Sequence, residues 1–360
     1  MEPNSIIITA PSLDTTKNVS GISSVTNFII DNNSRRVYRH FELGRKDGEK
    51  RNIGWLFKLV GTTFNWMFTV ASKKVALVHF NFALNKASII RDAPLVFIAK
   101  LLGKKMVIHL HGGEYLTEPK IPGIVKFIMK RFFSGKNPLM VLSPLEKEAL
   151  IQKYDAKNVY VLPNCVNLDE ARHFKRTYGN STMNILFLGR INSIKGLEYI
   201  YKALGILKQK QVPFNFFLAG TGPDEQEYVE KFSMLLGSQF QFKSVVSGVN
   251  KDNLLKSCDV FLLPSLSAEG LPMSLLESMS FGVVPVVTGV GSMKYVVGHN
   301  QNGIIVDEDP AAEIAAAIEK FTRDKEILQR LSINAGEFIF KNYNPVVYVA
   351  DLNKIYDAAK

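Results

Sequence analysis

Two carboxylates eight residues apart, Glu269 and Glu277, close the run S-L-S-A-E-G-L-P-M-S-L-L-E that begins at Ser265, directly after the apolar stretch Val260 to Leu263. A carboxylate accepting hydrogen bonds from two vicinal hydroxyls suits a ribose or a hexose, and each charged hydrogen bond contributes about 1.5 to 3 kcal/mol. Pro272 falls at or near the first turn of a helix, which places Glu269 in a loop and Glu277 on the helix. The free amides of that helix end attract phosphate. Paired carboxylates also run glycoside hydrolysis, at separations of about 5 Å for retention and roughly 6.5 to 9.5 Å for inversion. Spacing in sequence leaves that chemistry open, and solvated helix charge is the plain alternative.

Gly189, Arg190, Lys195 and Gly196 form a second group, again just past an apolar strand pattern. A planar guanidinium and a compact ammonium together can neutralise a diphosphate leaving group as its charge develops, so no metal is obligatory. The glycine pairs Gly220 and Gly222, and Gly289 and Gly291, read as turns at strand ends. Neither completes G-x-G-x-x-G, because Glu225 and Lys294 hold the third position, and no Walker A sequence occurs. Ser20 and Gly21 precede a helical pattern marked by Ile22, Val25, Phe28 and Ile29. Gly21 permits close backbone approach to a phosphate, and a plain helix cap explains it equally. In I-H-L-H-G-G-E, His109 and His111 resemble half of a metal site, but no third ligand is in view. His111 reads as a cleft residue and His109 as a packed one.

These residues need strands to present them. Ile6 to Thr9, Val75 to His79, Lys105 to His109, Leu139 to Leu142 and Val159 to Leu162 alternate with helical patterns. A polar, basic stretch from Val166 to Ser181 reads as a linker. Six more strand candidates follow: Asn184 to Leu188, Asn215 to Ala219, Phe240 to Val245, Val260 to Leu263, Val284 to Val287 and Gly303 to Val306. The alternation predicts two doubly wound α/β domains with parallel sheets, whose ligands bind beyond the carboxyl ends of the strands. Asp309 before Pro310 reads as an N-cap with proline at the first helical position. That reading displaces a metal role for Asp307 and Asp309.

The chain has 360 residues, 46% of them hydrophobic, and a formal charge of +11. Its length suits two domains. Residues 1 to 165 carry +12 and the remainder −1, so the first half faces something anionic or simply carries a solvated basic face. Two distant cysteines, Cys165 and Cys258, fit a reducing compartment and no zinc. Glu2 followed by a six-residue apolar stretch is a poor signal peptide. Trp55 to Val70 is interrupted by Lys58 and reads as an amphipathic helix, not a membrane span.

Taken together, the second half resembles glycosyltransferase family 4, retaining enzymes of the GT-B fold. The resemblance rests on ILFLGRINSIKGLEYI, FFLAGTGP, SGVNKDNLLKSCDVFLLPS, EGLPMSLLESMSFGVVPVV and NGIIV, which cover most of residues 184 to 306. SGISSV, VIHLHGGE, MVLSPLEKEAL and VLPNCVN extend it more loosely into the first half. The resemblance implies two Rossmann-like domains facing a cleft: residues 1–168 on the acceptor side, 169–340 on the donor side, and a helix in 341–360 returning to the first. It implies that Glu277 holds the ribose of a nucleotide sugar and Glu269 contacts its sugar, within a donor loop of Glu269, Gly270, Leu271, Pro272 and Met273. Arg190 and Lys195 match the diphosphate pair, Gly21 the donor loop of the first domain, His111 a donor-sugar pocket residue, and Val249 the main-chain contact to the base. The implied catalytic set is Glu269, His111, Arg190 and Lys195, with no metal and no cofactor beyond the donor substrate. Asn164-Cys165, Ser20-Gly21 and Tyr295 depart from the usual Asn-Gly, Gly-Gly and acidic residue of that family.

The expected reaction moves a hexose-type sugar from a UDP- or GDP-linked donor, with retention, to a glycan or lipid-linked acceptor in cell-surface polysaccharide assembly. A nucleotide-sugar hydrolase or epimerase, or a noncatalytic polyanion-binding protein, are the alternatives; nucleic acid is not an expected partner. The segment Phe127 to Lys136 interleaves aromatic and basic residues, which fits a cytoplasmic protein in peripheral contact with an anionic membrane. The same aromatics would equally serve as core.

Overall fold

The computed structural model describes residues 5–14, 18, 20–44, 53–118, 120–179, 181–267 and 269–359, without the side chains of 53, 55, 56 and 117. The Ser265–Glu277 run is therefore described apart from Ala268, and the approach to Gly21 apart from 15–17 and 19. Two compact units emerge: Met1–Asn164 with Val346–Lys360, and Cys165–Pro345.

In the first unit the order is β1 (Ser5–Ala10), α1 (Gly21–Asn32), β2 (Val37–Glu42), α2 (Ile53–Ala71), β3 (Val75–Phe82) and α3 (Lys86–Leu101). There follow β4 (Met106–Leu110), α4 (Glu114–Thr117), α5 (Gly123–Phe133), β5 (Leu139–Val141), α6 (Pro144–Tyr154) and β6 (Val159–Val161). The sheet is parallel in the order β2-β1-β3-β4-β5-β6. Its central strands are covered on both faces, which is why they read as near-continuous apolar runs. Trp66 of α2 lies fully buried with its indole donating to Leu95 O of α3 (2.8 Å) and Phe41 and Phe80 edge-on. The Ser143 side chain caps α6 by accepting from Glu146 N (3.3 Å), while the Glu146 carboxylate accepts from Leu142 N (2.7 Å).

The second unit comprises α7 (Asp169–His173), β7 (Met183–Leu188), α8 (Leu197–Gln209), β8 (Phe214–Ala219), α9 (Glu225–Leu236), β9 (Phe240–Ser244) and α10 (Gly248–Ser257). It continues with β10 (Val260–Leu263), α11 (Met273–Ser280), β11 (Val284–Thr288), β12 (Ile304–Val306), α12 (Pro310–Arg323) and α13 (Lys325–Asn342). Its parallel order is β12-β11-β10-β7-β8-β9. Asp309 caps α12 as expected, accepting from Ala312 N (3.2 Å), while Glu313 accepts in return from Asp309 N (2.9 Å).

One further helix, α14 (Pro345–Ala358), joins the first unit. Asn353 and Asn33 exchange side-chain hydrogen bonds, Arg36 pairs with Asp357, and Phe28 meets Tyr348 edge-on.

Three expectations need correction. The stretch read as a linker is pinned to the second unit, because the Arg176 guanidinium donates to Phe281 O, Cys258 O and Leu255 O. Strand β2 was not foreseen: it is an edge strand whose Arg39 and exposed alternate positions hide the pattern. Helix α2 is amphipathic only in a restricted sense, since its solvent-facing side carries Phe57, Phe64 and Phe68.

Candidate active site

Each sheet reverses its strand order at one point. In the second unit the chain steps from β7 outward to β8 and β9, then returns to β10 on the other flank of β7. The connections after β7 and β10 lead to opposite flanks of the sheet, and such a switch point is where α/β sheets bind ligands. The loop after β7 carries Arg190 and Lys195; the loop after β10 carries Glu269 and leads into α11 with Glu277.

Lys195 and Glu269 meet at the switch point. The ammonium stands 2.5 Å from Glu269 Oε1, and the Ser265 hydroxyl donates to the same oxygen at 2.6 Å. Both charged side chains are partly buried, so their attraction is screened less than that of a surface pair. Glu277, one turn into α11, accepts from Lys251 of α10 at 2.7 Å. Lys251 and Ser265 were not read as functional from the sequence. Lys251 lies two residues after Val249, which is exposed on the first turn of α10.

Backbone packing makes this convergence possible. Gly196 ends a 3-10 turn, Ser193–Lys195, with φ +79°, and a Cβ there would lie 1.9 Å from Pro264 O. The β7 loop can therefore lie directly on the β10 loop, where Leu266 N donates to Ile194 O (2.8 Å). Beyond β11, Gly291 (φ +60°) brings Ser292 N onto Glu269 O at 3.0 Å, and a Cβ at 291 would stand 2.1 Å from that oxygen. Asn192 caps the 3-10 turn through Ile194 N (3.0 Å), and Asp224 accepts from Ser193 N (2.7 Å).

Leu271 is buried, Gly270 and Met273 are half-buried, and Pro272 is the residue before α11, without a side-chain cap. Arg190 is half-buried in the β7 loop. Thus Lys195, Glu269, Gly270, Leu271, Pro272, Met273 and Glu277 lie on adjoining loops and one helix, with Val249 at the head of α10.

Gly21 and His111 belong to the first unit. Gly21 opens α1 after the β1 loop, with Ser20 as its cap, accepting from Ile22 N at 3.2 Å. His111 follows β4, its Nε2 2.7 Å from Asn81 Oδ1. The Asn81 amide nitrogen donates to Thr9 O (2.6 Å) and lies 3.1 Å from Thr26 Oγ1, which fixes the amide so that Oδ1 accepts. His111 must then carry its proton on Nε2, leaving Nδ1 as the acceptor nitrogen. Burial, followed by the charge of His79, lowers the His111 pKa to about 3, so the ring is neutral at any physiological pH.

His109 is fully buried, as expected, and lies against His111 with ring centroids 4.0 Å apart and the planes tilted by 39°. A third histidine, His79 of β3, lies 3.2 Å from His109 Nδ1 through Nε2, and 2.6 Å from Tyr356 OH of α14 through Nδ1. Burial holds His79 down to about 3 and His109 well below its usual range. Among the described residues no group of three or more His, Cys, Asp or Glu is arranged to hold a metal.

The two parallel six-stranded sheets share the GT-B fold, and residues 169–338 match the family model described as glycosyl transferases group 1. A Bacillus subtilis protein described as the uncharacterized glycosyltransferase YqgM is 27% identical over 270 residues, or 72% of this chain and 73% of its own. The UDP-Gal:alpha-D-GlcNAc-diphosphoundecaprenol alpha-1,3-galactosyltransferase of Escherichia coli is 26% identical over 277 residues, 72% of this chain and 70% of its own. Among solved structures, Anabaena Alr3699/HepE in complex with UDP and glucose shares the fold with a TM-score of 0.75 at 16% identity, covering 98% of this chain and 99% of that one.

Proposed function

We propose that this chain is a retaining hexosyltransferase of the family 4 type, using a UDP- or GDP-linked sugar and a glycan or lipid-linked oligosaccharide acceptor in cell-surface polysaccharide assembly. The observation that carries the reading is the convergence of Lys195 with Glu269 at the switch point, beside Glu277 and Lys251. Lys195, with Arg190, meets the diphosphate as its charge grows; Glu269 takes sugar hydroxyls and Glu277 the ribose. This division of labour requires no metal and no cofactor beyond the donor. Transfer proceeds by same-face attack, with the leaving phosphate accepting the acceptor's proton. His111, neutral and with Nδ1 bare, is suited to accept a hydrogen bond from a sugar hydroxyl. Support comes from the UDP and glucose held by HepE and from the lipid-linked sugar named in the E. coli relative.

A cytoplasmic site of action, peripheral on the inner face of the membrane, fits a charge of +12 on residues 1 to 165. Among the described residues no helix is long and apolar enough to cross a membrane.

Thermal shifts with UDP, GDP, ADP and NAD test the donor site. A nucleotide at 100 times its dissociation constant adds about 2.7 kcal/mol of stability. UDP or GDP should shift the wild type and lose that shift in Glu277→Ala; no shift with any nucleotide would overturn the reading. In turnover assays, Lys195→Ala should lower kcat by about 100-fold, the scale of losing one electrostatic stabiliser of a developing anion. A change confined to KM would mean that Lys195 binds the ground state and transition state alike.

A further inference from the structure

Helices α2, α3 and α5 form one layer on the first sheet. Trp66 of α2 donates to Leu95 O of α3, and Lys100 of α3 donates to Phe132 O of α5 at 2.9 Å. All three send side chains into the same core as Phe80 and Ile108. Yet their opposite sides are also apolar. On α2, Phe57, Phe64 and Phe68 recur at the spacing of one helical face, about 200° around the helix from Trp66 and Val70. Phe57 and Phe68 are 73% and 71% exposed.

The same arrangement recurs next door. Ile90, Phe97 and Leu101 share the outer face of α3, with Leu101 74% exposed, and Ile124 and Phe127 are exposed on α5. Single exposed apolar side chains are ordinary, whereas three adjoining helices with apolar outer stripes mark an interaction surface. The Phe127–Lys136 segment contributes less than its sequence promised, because Phe132 and Phe133 are core residues.

Charge identifies the occupant. The three helices hold seven basic residues, among them Lys58, Lys86, Lys126 and Arg131, and one acid. That acid, Asp92, is fully buried and paired with Arg91. A second copy of this surface would repel its own lysines; an anionic lipid headgroup layer would attract them while the aromatics enter the acyl boundary.

We propose that the outer face of α2 and α3, flanked by α5, docks this protein on an anionic phospholipid bilayer. This places the peripheral contact suggested above on a defined surface, and its test is independent of donor chemistry. Full-length wild type, Phe64→Ser/Phe68→Ser and Lys58→Gln/Lys126→Gln would be sedimented with vesicles of phosphatidylcholine containing about 30% phosphatidylglycerol. Wild type should bind, and the aromatic variant should partition at least about tenfold less with an unchanged melting temperature. The lysine variant should bind less at low salt only. Wild type remaining in solution, or an aromatic variant binding as wild type does, would overturn the proposal. So would a wild-type dimer that the phenylalanine changes dissociate while vesicles capture neither protein. The UDP or GDP shift should persist in every variant, so failure on vesicles and failure of the donor site remain separable.

Discussion

Alanine at position 196 is expected to destabilise the second unit by about 3 to 5 kcal/mol, at the upper end of single substitutions. The left-handed backbone there costs a non-glycine residue about 1 to 2 kcal/mol, and the new Cβ would fall 1.9 Å from Pro264 O. Relief requires the β7 and β10 loops to part, which breaks the Leu266 N to Ile194 O bond and draws Lys195 from Glu269. Gly205→Ala is the control, since it lies within α8 and its Cβ meets nothing within 4 Å. That change should stabilise by up to about 1 kcal/mol. Urea unfolding of both variants, followed by circular dichroism, reads the contrast. A Gly196→Ala protein within about 1 kcal/mol of wild type would mean that the two loops do not make this approach.

Acidification from pH 7 to 5 is expected to destabilise the first unit by about 3 kcal/mol. His79, His109 and His111 are held neutral, with folded pKa values far below the value of about 6.5 that an unfolded chain would show. Below that pH the unfolded state binds more protons than the folded one, so stability falls as pH falls, by about 1.4 kcal/mol per unit for each ring. Glu146, pushed up to about 7 by burial, acts in the opposite sense between about 4.5 and 7, and Asp92, raised by burial, acts in that same sense. Three neutral rings outweigh the two carboxyls. Both tryptophans of the chain, Trp55 and Trp66, lie in the first unit, so their fluorescence reports its urea midpoint separately. A midpoint unchanged from pH 7 to 5 would show that the rings titrate in the native state, contrary to their burial.

The strands of both sheets were legible because parallel strands covered on two faces need unbroken apolar runs, as in Val260 to Leu263. Edge strand β2 obeys no such demand, and Arg35, Arg36 and Arg39 around it read as loop. Among the site residues, Glu269 and Lys195 could be read as candidates, but their direct contact could not, because 74 positions separate them. Gly196 offered the better clue: a glycine between a turn and a helix asks what backbone comes close. Asn81 also left a signal, since His79 and Asn81 are polar residues two apart in an otherwise apolar strand and so share one face. Lys251 left none, because a lysine on a polar helix looks the same whether or not a glutamate 26 positions away receives it.

The interrupted composition of the first unit bears on how the protein is made. Its sheet is complete at β6, but α14, which supplies the Tyr356 partner of His79, is encoded after the whole of the second unit. At about 5 to 20 residues per second, a ribosome needs roughly 10 to 40 seconds to cross that interval. Throughout that time the nascent sheet has one flank uncovered, with His79 lacking its tyrosine and Asn33 lacking Asn353. A transcript broken within the second unit yields a chain with the same flank permanently open, a ready signal for chaperones and proteases to separate finished molecules from unfinished ones.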